Sequence, residues 1–215
     1  MEDDVIGGFN RLLDDQKKAE GEADLTLILF DSKYHVVHQK SNIKSVGPLT
    51  KNVYYTGGST SMNDAIMHAI KTVGNEIAST PENERPHQVV MIIHTDGHEN
   101  SSVEFSNSTG GTSKVQRAIA TQKEKYDWKV IMLGADIENL SGYAAQYDID
   151  PHSTLSFSNT SIDNRRMFRS ASNIIGAVRS ASYSGVASDY LVGEDEVTGM
   201  DNTNFSTSDH SDNTE

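Results

Sequence analysis

The chain has 215 residues, a formal net charge of −13, an apolar share of 35% and no cysteine. One domain is expected at this length, and the low apolar share implies that part of the sequence contributes to no core. The acidity argues against a nucleic-acid backbone or an anionic membrane as partner, because both require a basic face; the lack of cysteine excludes disulfides, thiolate metal sites and a cysteine nucleophile, and suits the cytoplasm.

The first ten residues, MEDDVIGGFN, lack the basic start and apolar run of a secretory signal. No apolar stretch approaches the length of a membrane span. Residues 2 to 18 place Val5, Ile6, Phe9, Leu12 and Leu13 on one helical face, with Glu2, Asp3 and Asp4 where the helix dipole favours acids. LTLILF (25–30) and YHVVH (34–38), separated by the turn DSK, predict a hairpin. Met62, Ile66, Ala69, Ile70, Val73 and Ile77 recur at helical spacing, with Ser61 and Asp64 spaced as a capping box. VVMIIH (89–94) and KVIMLG (129–134) are continuous apolar runs, the pattern of parallel strands buried on both faces. Helices are predicted over 113–126, 138–147 and 162–182, the last with Phe168, Ala171, Ile174, Ile175 and Val178 facing inward, and a short strand over 154–157.

This alternation predicts an α/β fold: a doubly wound, mostly parallel sheet with helices on both faces. It would occupy residues 1–184. Eight acidic residues and no Lys or Arg lie between Gly185 and Glu215, leaving −5 of the net −13 on the remainder. The stretch after Gly193 is rich in Ser, Thr, Asn and Gly, so 185–215 is read as a disordered acidic tail. A solubilising end is the plain reading, and a docking tail for a basic partner the alternative.

The candidate site begins where VVMIIH runs into Asp96-Gly97. A carboxylate at the carboxyl end of a buried strand lies where open α/β sheets place their ligands. The segment TGGSTSMNDAI (56–66) brings a hydroxyl, Thr60, to a similar setting. YYTGGSTSMNDAI, a helix, and then VVMIIHTDGHENSS together resemble the von Willebrand factor A family, in particular the small stand-alone domains of bacteria and their phages. The resemblance extends over residues 1 to about 182 in element order. It implies a Rossmann-like fold carrying a metal-ion-dependent adhesion site for Mg²⁺ (or Mn²⁺ or Ca²⁺), assembled from an Asp-x-Ser-x-Ser loop, a threonine and an aspartate. Thr60 matches the threonine and Asp96 the aspartate. Such a site leaves one metal position open to an acidic side chain of a protein partner. The implied function is therefore a non-enzymatic protein-binding module, in the host cytoplasm if phage-encoded.

Loops 31–33, 56–61, 95–112 and 134–138 would form the docking face, with Gly57, Gly58, Ser59, Ser61, Gly97, His98 and Glu99 toward the partner. Gly57 and Gly58 would turn the backbone before Thr60 by taking positive φ. Mg²⁺ suits the assignment, since it prefers oxygen ligands, accepts one or two carboxylates and keeps several waters.

The chain also departs from the family. Asp-x-Ser-x-Ser is absent; the one Asp-x-Ser, Asp209 to Ser211, lies in the tail with no second serine in place. The first, central strand is missing with it. A start upstream of Met1, a split gene or a degenerate remnant would each account for this, and the first is expected because Met1 falls where the family's first loop meets its first helix.

Other readings remain beside this one. Asp96-Gly97 is also a turn sequence, and Thr60 is also a capping type. With the metal ligands lost, the chain would be a metal-free scaffolding protein. His94, Asp96 and His98 offer a transition-metal alternative, with Glu99 as general base of a hydrolase. His35 and His38 fall on opposite strand faces. The Gly-Gly pairs at 57–58 and 110–111 lack the lysine of a phosphate loop.

Overall fold

The computed structural model describes residues 2–198. The first helix, α1 (Glu2–Lys18), leads into a hairpin of β1 (Asp24–Phe30) and β2 (Tyr34–Asn42). After α2 (Met62–Ser79) the chain alternates through β3 (Val90–Thr95), α3 (Gly111–Tyr126), β4 (Lys129–Ala135), α4 (Leu140–Ala145), β5 (Thr154–Phe157) and α5 (Ser161–Arg179), and closes with a single turn, α6 (Asp195–Thr198).

The strands form two ladders. β1 and β2 pair antiparallel, while β3, β4 and β5 form a parallel sheet in that order, with Ile92 opposite Ile131 and Leu133 opposite Leu155. The carboxyl ends of β1 and β3 meet at one place. Asp31, just after β1, accepts from the Ser61 N–H at 2.6 Å, and Thr60 accepts from the Asn100 N–H, just after β3, at 3.0 Å. β1 and β3 therefore run in the same direction, yet no ladder joins them. Each has one edge outside any described ladder.

Helices cover both faces of this divided sheet. β4 alternates between them: Val130 and Met132 join the core under α2, α3 and α4, while Ile131 and Leu133 join the core under α5. A third cluster joins Ile6, Phe9 and Leu13 of α1 to the hairpin, with Phe168 of α5 touching both this cluster and the second. The segment after β2 runs back along α1 to the carboxyl ends of the strands. It is held in turn by Lys17 Nζ to the Val46 carbonyl (2.6 Å), the Asn10 amide to both polar groups of Leu49 (3.0 and 2.7 Å), Lys51 to Asp3 (2.7 Å) and the Thr56 N–H to Glu2 (3.0 Å).

Three expectations need correction. The helix expected over 138–147 is confined to 140–145, because Asn139 takes left-handed φ of 50° and caps the Gly142 N–H. The helix expected to reach 182 ends at Arg179, before Ala181 at φ 56°. The disordered tail does not begin at 185. Ala187, Val192 and Val197 are buried, and Val192 is held through its N–H to Ser170 Oγ (3.0 Å) and its carbonyl to Arg166 Nε (2.9 Å). Those few apolar residues dock onto α5 and its neighbours despite the polar composition around them. The rest of the expected tail, 199–215, lies outside the described residues.

Candidate functional site at the crest of the sheet

Two loops are locked together at the crest. The Thr60 N–H donates to Asn100 Oδ1 (2.8 Å), the Ser101 N–H donates to the Thr60 carbonyl (3.2 Å), and Ser101 Oγ reaches the Asp31 carbonyl (3.3 Å). The Thr60 hydroxyl faces Gly97, where a Cβ would stand 3.0 Å from it. Thr60 is 9% exposed. Thr95 Oγ1 donates to the Gly97 carbonyl (2.7 Å) and accepts from the Gly97 N–H (3.2 Å), so the Asp96 turn is built by the last residue of β3.

Asp96 is exposed, and no described residue donates a hydrogen bond to its carboxylate. Burial, assisted by the charges of Asp96 and Glu2, raises the pKa of Tyr54. Asp31 and Glu2 extend the acidic edge of the crest. Backbone donation from Lys33 to Asp31, and from Thr56 to Glu2, holds each carboxyl below its usual range.

Gly57 earns its place by close approach. A Cβ there would lie 2.5 Å from the Asp31 Cβ, whereas Gly58 is open. Neither residue has positive φ, in contrast to expectation; among the described glycines only Gly21, Gly110 and Gly185 do. The turn into Thr60 needs space for backbone, not the left-handed region.

Glu99 does not face a partner. It is 9% exposed, and its carboxylate accepts from the Asn63 N–H (2.7 Å), the Ser101 N–H (3.0 Å), the Ser102 N–H (2.8 Å) and Ser102 Oγ (2.8 Å). Its own N–H donates to Tyr143 Oη (2.8 Å). Glu99 thus caps the first turn of α2 from another loop, satisfying through the Asn63 N–H one donor that the helix itself leaves open. The expected capping box is replaced accordingly. Ser61 makes no side-chain cap, its Oγ is buried without a partner, and Asp64 instead accepts from the N–H groups of Val103, Glu104 and Phe105 at 2.8, 3.3 and 2.7 Å. The polar pair Asn63-Asp64 and the run HENSS carry no signal of this pairing, because which side of a loop faces inward depends on packing.

The two histidines beside Asp96 diverge. His94 stands edge-on to Phe168 on the α5 side (5.9 Å), while His98 is exposed and stands edge-on to Tyr143 on the α4 side (4.5 Å). Burial pushes His94 down to about pKa 4, with Asp96 opposing weakly, so its imidazole is neutral at pH 7. Among the described residues no three His, Asp or Glu side chains converge as a metal-holding group. The crest instead offers oxygen: the Asp96 carboxylate and the Thr60 hydroxyl. This donor set fits a hard divalent cation in type, while supplying few of its ligands. Ser59, Gly57, Gly58 and His98 flank it as the remaining accessible loop positions.

The fold is α/β, a parallel sheet with helices on both faces, consistent with the Rossmann-like, von Willebrand factor A type of fold, and among the described residues no ladder joins β1 to β3. No protein-family model matches the chain, and no curated protein matches it in sequence. In three dimensions it is similar to proximal thread matrix protein 1 from the mussel byssus, with a TM-score of 0.52 and 13% identity. The similarity covers 80% of this chain and 42% of that one, so the chain spans less than half of that protein. At this identity the likeness concerns the fold alone.

Proposed function

We propose that the domain is a non-enzymatic protein-docking module that engages its partner at the crest. One observation carries the reading: Asp96 presents an exposed carboxylate with no described donor on it, in the turn whose next residue, Gly97, faces the Thr60 hydroxyl, on loops locked from both sides. An acid so placed contributes nothing to its own loop. Asp96 and Thr60 would hold Mg²⁺ (or Mn²⁺ or Ca²⁺), whose chemistry is to bridge two carboxylates that otherwise repel. The second would be an acidic side chain of the partner, with His98 and Gly97 at the rim. Glu99, the candidate general base, is occupied by four donors, which supports docking over hydrolysis. Among the described residues no helix is long and apolar enough to cross a membrane.

Titration of Mn²⁺, followed by its electron paramagnetic resonance, tests the reading on wild type and Asp96→Ala. Binding that disappears in the variant is expected; equal binding by both proteins, or none by either, would overturn the metal assignment. A metal-free interaction surface is the second reading, favoured by the lack of three converging acids among the described residues. It predicts no change in melting temperature with Mg²⁺, whereas a cation bound only by the native state raises it.

A further inference from the structure

A groove runs between α1 and α5, and α6 borders it. Four cations line it, Arg11 and Lys18 of α1 and Arg165 and Arg169 of α5, against two acids, Asp14 and Asp15. This is a local excess of two positive charges on a chain whose net charge is −13. Arg169 pairs with Asp15 at 2.7 Å. Arg165 lies near Asp4, yet its Nε is buried with no hydrogen-bond acceptor among the described residues. Arg11 and Lys18 have no carboxylate partner among those residues. The apolar part of the lining comes from Gly8, Leu12, Phe168 and Val197. At about 210 Å³ the groove falls below the roughly 300 to 1,000 Å³ of small-molecule sites, so it suits one anchoring side chain better than a free ligand.

Chain path and charge both point to what covers this groove. Val197 lines it and Thr198 is the last described residue, so residues 199–215 begin at its edge. They carry Asp201, Asp209, Asp212 and Glu215, no Lys or Arg, and a single aromatic, Phe205. We propose that residues 199–215 dock in the groove of their own chain, with Phe205 against Leu12 and Phe168 and the acids on Arg11, Lys18 and Arg165. Reach permits it. The stretch from Val197 to Phe205 spans up to about 26 Å when extended, whereas the α1 stretch from Gly8 to Lys18 is about 15 Å long. Each surface ion pair is weak alone. A tether this short holds the acids at roughly millimolar effective concentration, so several weak pairs acting together suffice. The contact covers Phe168, the residue that touches both the α1 core and the α5 core.

The proposal is independent of the crest, because groove docking needs neither Asp96 nor a bound metal. The chain has no cysteine, so a nitroxide on Ser208→Cys reports position in the full chain through paramagnetic broadening of amide resonances. Amides of Gly8, Leu12 and Phe168 are expected to lose intensity by at least about two-fold, and that of Ile119 on α3 to keep it. The broadening should fade at about 1 M salt, where charges are screened beyond about 3 Å. It should fade also in Arg11→Gln with Lys18→Gln, and when the four acids of 199–215 are changed to their amides. The second variant alters no described residue, so the test stands even where the first unfolds. No broadening in the parent, or broadening that persists in the amide variant and at high salt, overturns the proposal, the latter because tethering alone would then explain it. Mixing nitroxide-bearing chains with nitrogen-15-labelled chains that lack the label locates the occupant; broadening in the mixture would overturn docking within one chain and assign the groove to a second copy.

Discussion

Three neighbouring side chains of the DGHEN turn and its strand respond differently to substitution, because each faces a different environment. Asp96 is exposed and undonated, so Asp96→Ala should change unfolding free energy by less than about 0.5 kcal/mol. Glu99 holds four donors, so Glu99→Ala should cost about 3 kcal/mol in urea denaturation, with Glu99→Gln less severe. His94 contributes through protonation. Its folded pKa of about 4 lies below the 6.5 of the unfolded chain, so the unfolded state binds the extra proton between those values. The stability held by neutral His94 is therefore complete above pH 6.5 and is lost as pH falls toward 4. Between pH 7 and pH 4.5, wild type should lose about 2 to 3 kcal/mol more than His94→Leu, measured by urea midpoints at each pH. Equal losses would mean that His94 is solvated. The residue types at the crest were legible in the sequence, since an apolar run ending in Asp-Gly marks a strand end. Their orientations were not, because GHENSS is polar throughout and nothing in it distinguishes the acid facing water from the acid capping α2.

Elements were most legible where one physical requirement dominates. The runs in β3 and β4 are continuous because helices cover both faces, and α1 shows its apolar stripe from its first turn. Boundaries set by single backbone conformations were not legible: Asn139 and Ala181 take left-handed φ, and neither type announces it. The segment from Ile43 to Thr56 was the least legible, having neither helical nor strand period. Its course is set by side chains of α1, above all the buried Asn10, which donates to the Leu49 carbonyl and accepts from the Leu49 N–H. That pair of bonds substitutes for a ladder, and it explains why a polar residue stands on the inner face of α1. Asn10→Ala leaves both Leu49 groups unpaired and should cost about 2 kcal/mol. Amide exchange at residues 46 to 50 should accelerate ahead of α1 itself. Uniform acceleration along α1 would show that the amide serves the helix and not the segment.

On the scale of the whole molecule, the hairpin and the three-stranded sheet share no ladder, so cohesion between them depends on the helices and the crest loops. A two-stranded sheet is marginal alone. Besides apolar packing, specific polar ties cross the division. Gln16 of α1 donates to the Ser172 carbonyl of α5 (3.0 Å), Arg169 pairs with Asp15 (2.7 Å), and Arg179 closes the carboxyl end of α1 through the carbonyls of Gln16, Glu20 and Gly21 at 2.7, 2.9 and 3.1 Å. Arg179 therefore stabilises the α1 end directly and the hairpin that follows it indirectly, while β4 has ladder partners on both sides and a core on both faces. Opening should follow this division. In native-state hydrogen exchange, β4 amides should exchange only by global unfolding, and β1 and β2 amides by a smaller opening at lower free energy. Arg179→Ala removes a charged donor shared among several carbonyls and should lower the β1 and β2 opening energy by about 2 kcal/mol, with a smaller effect on β4. Equal loss in both sheets would show that they unfold as one unit, and that the crest loops couple them more strongly than the missing ladder separates them.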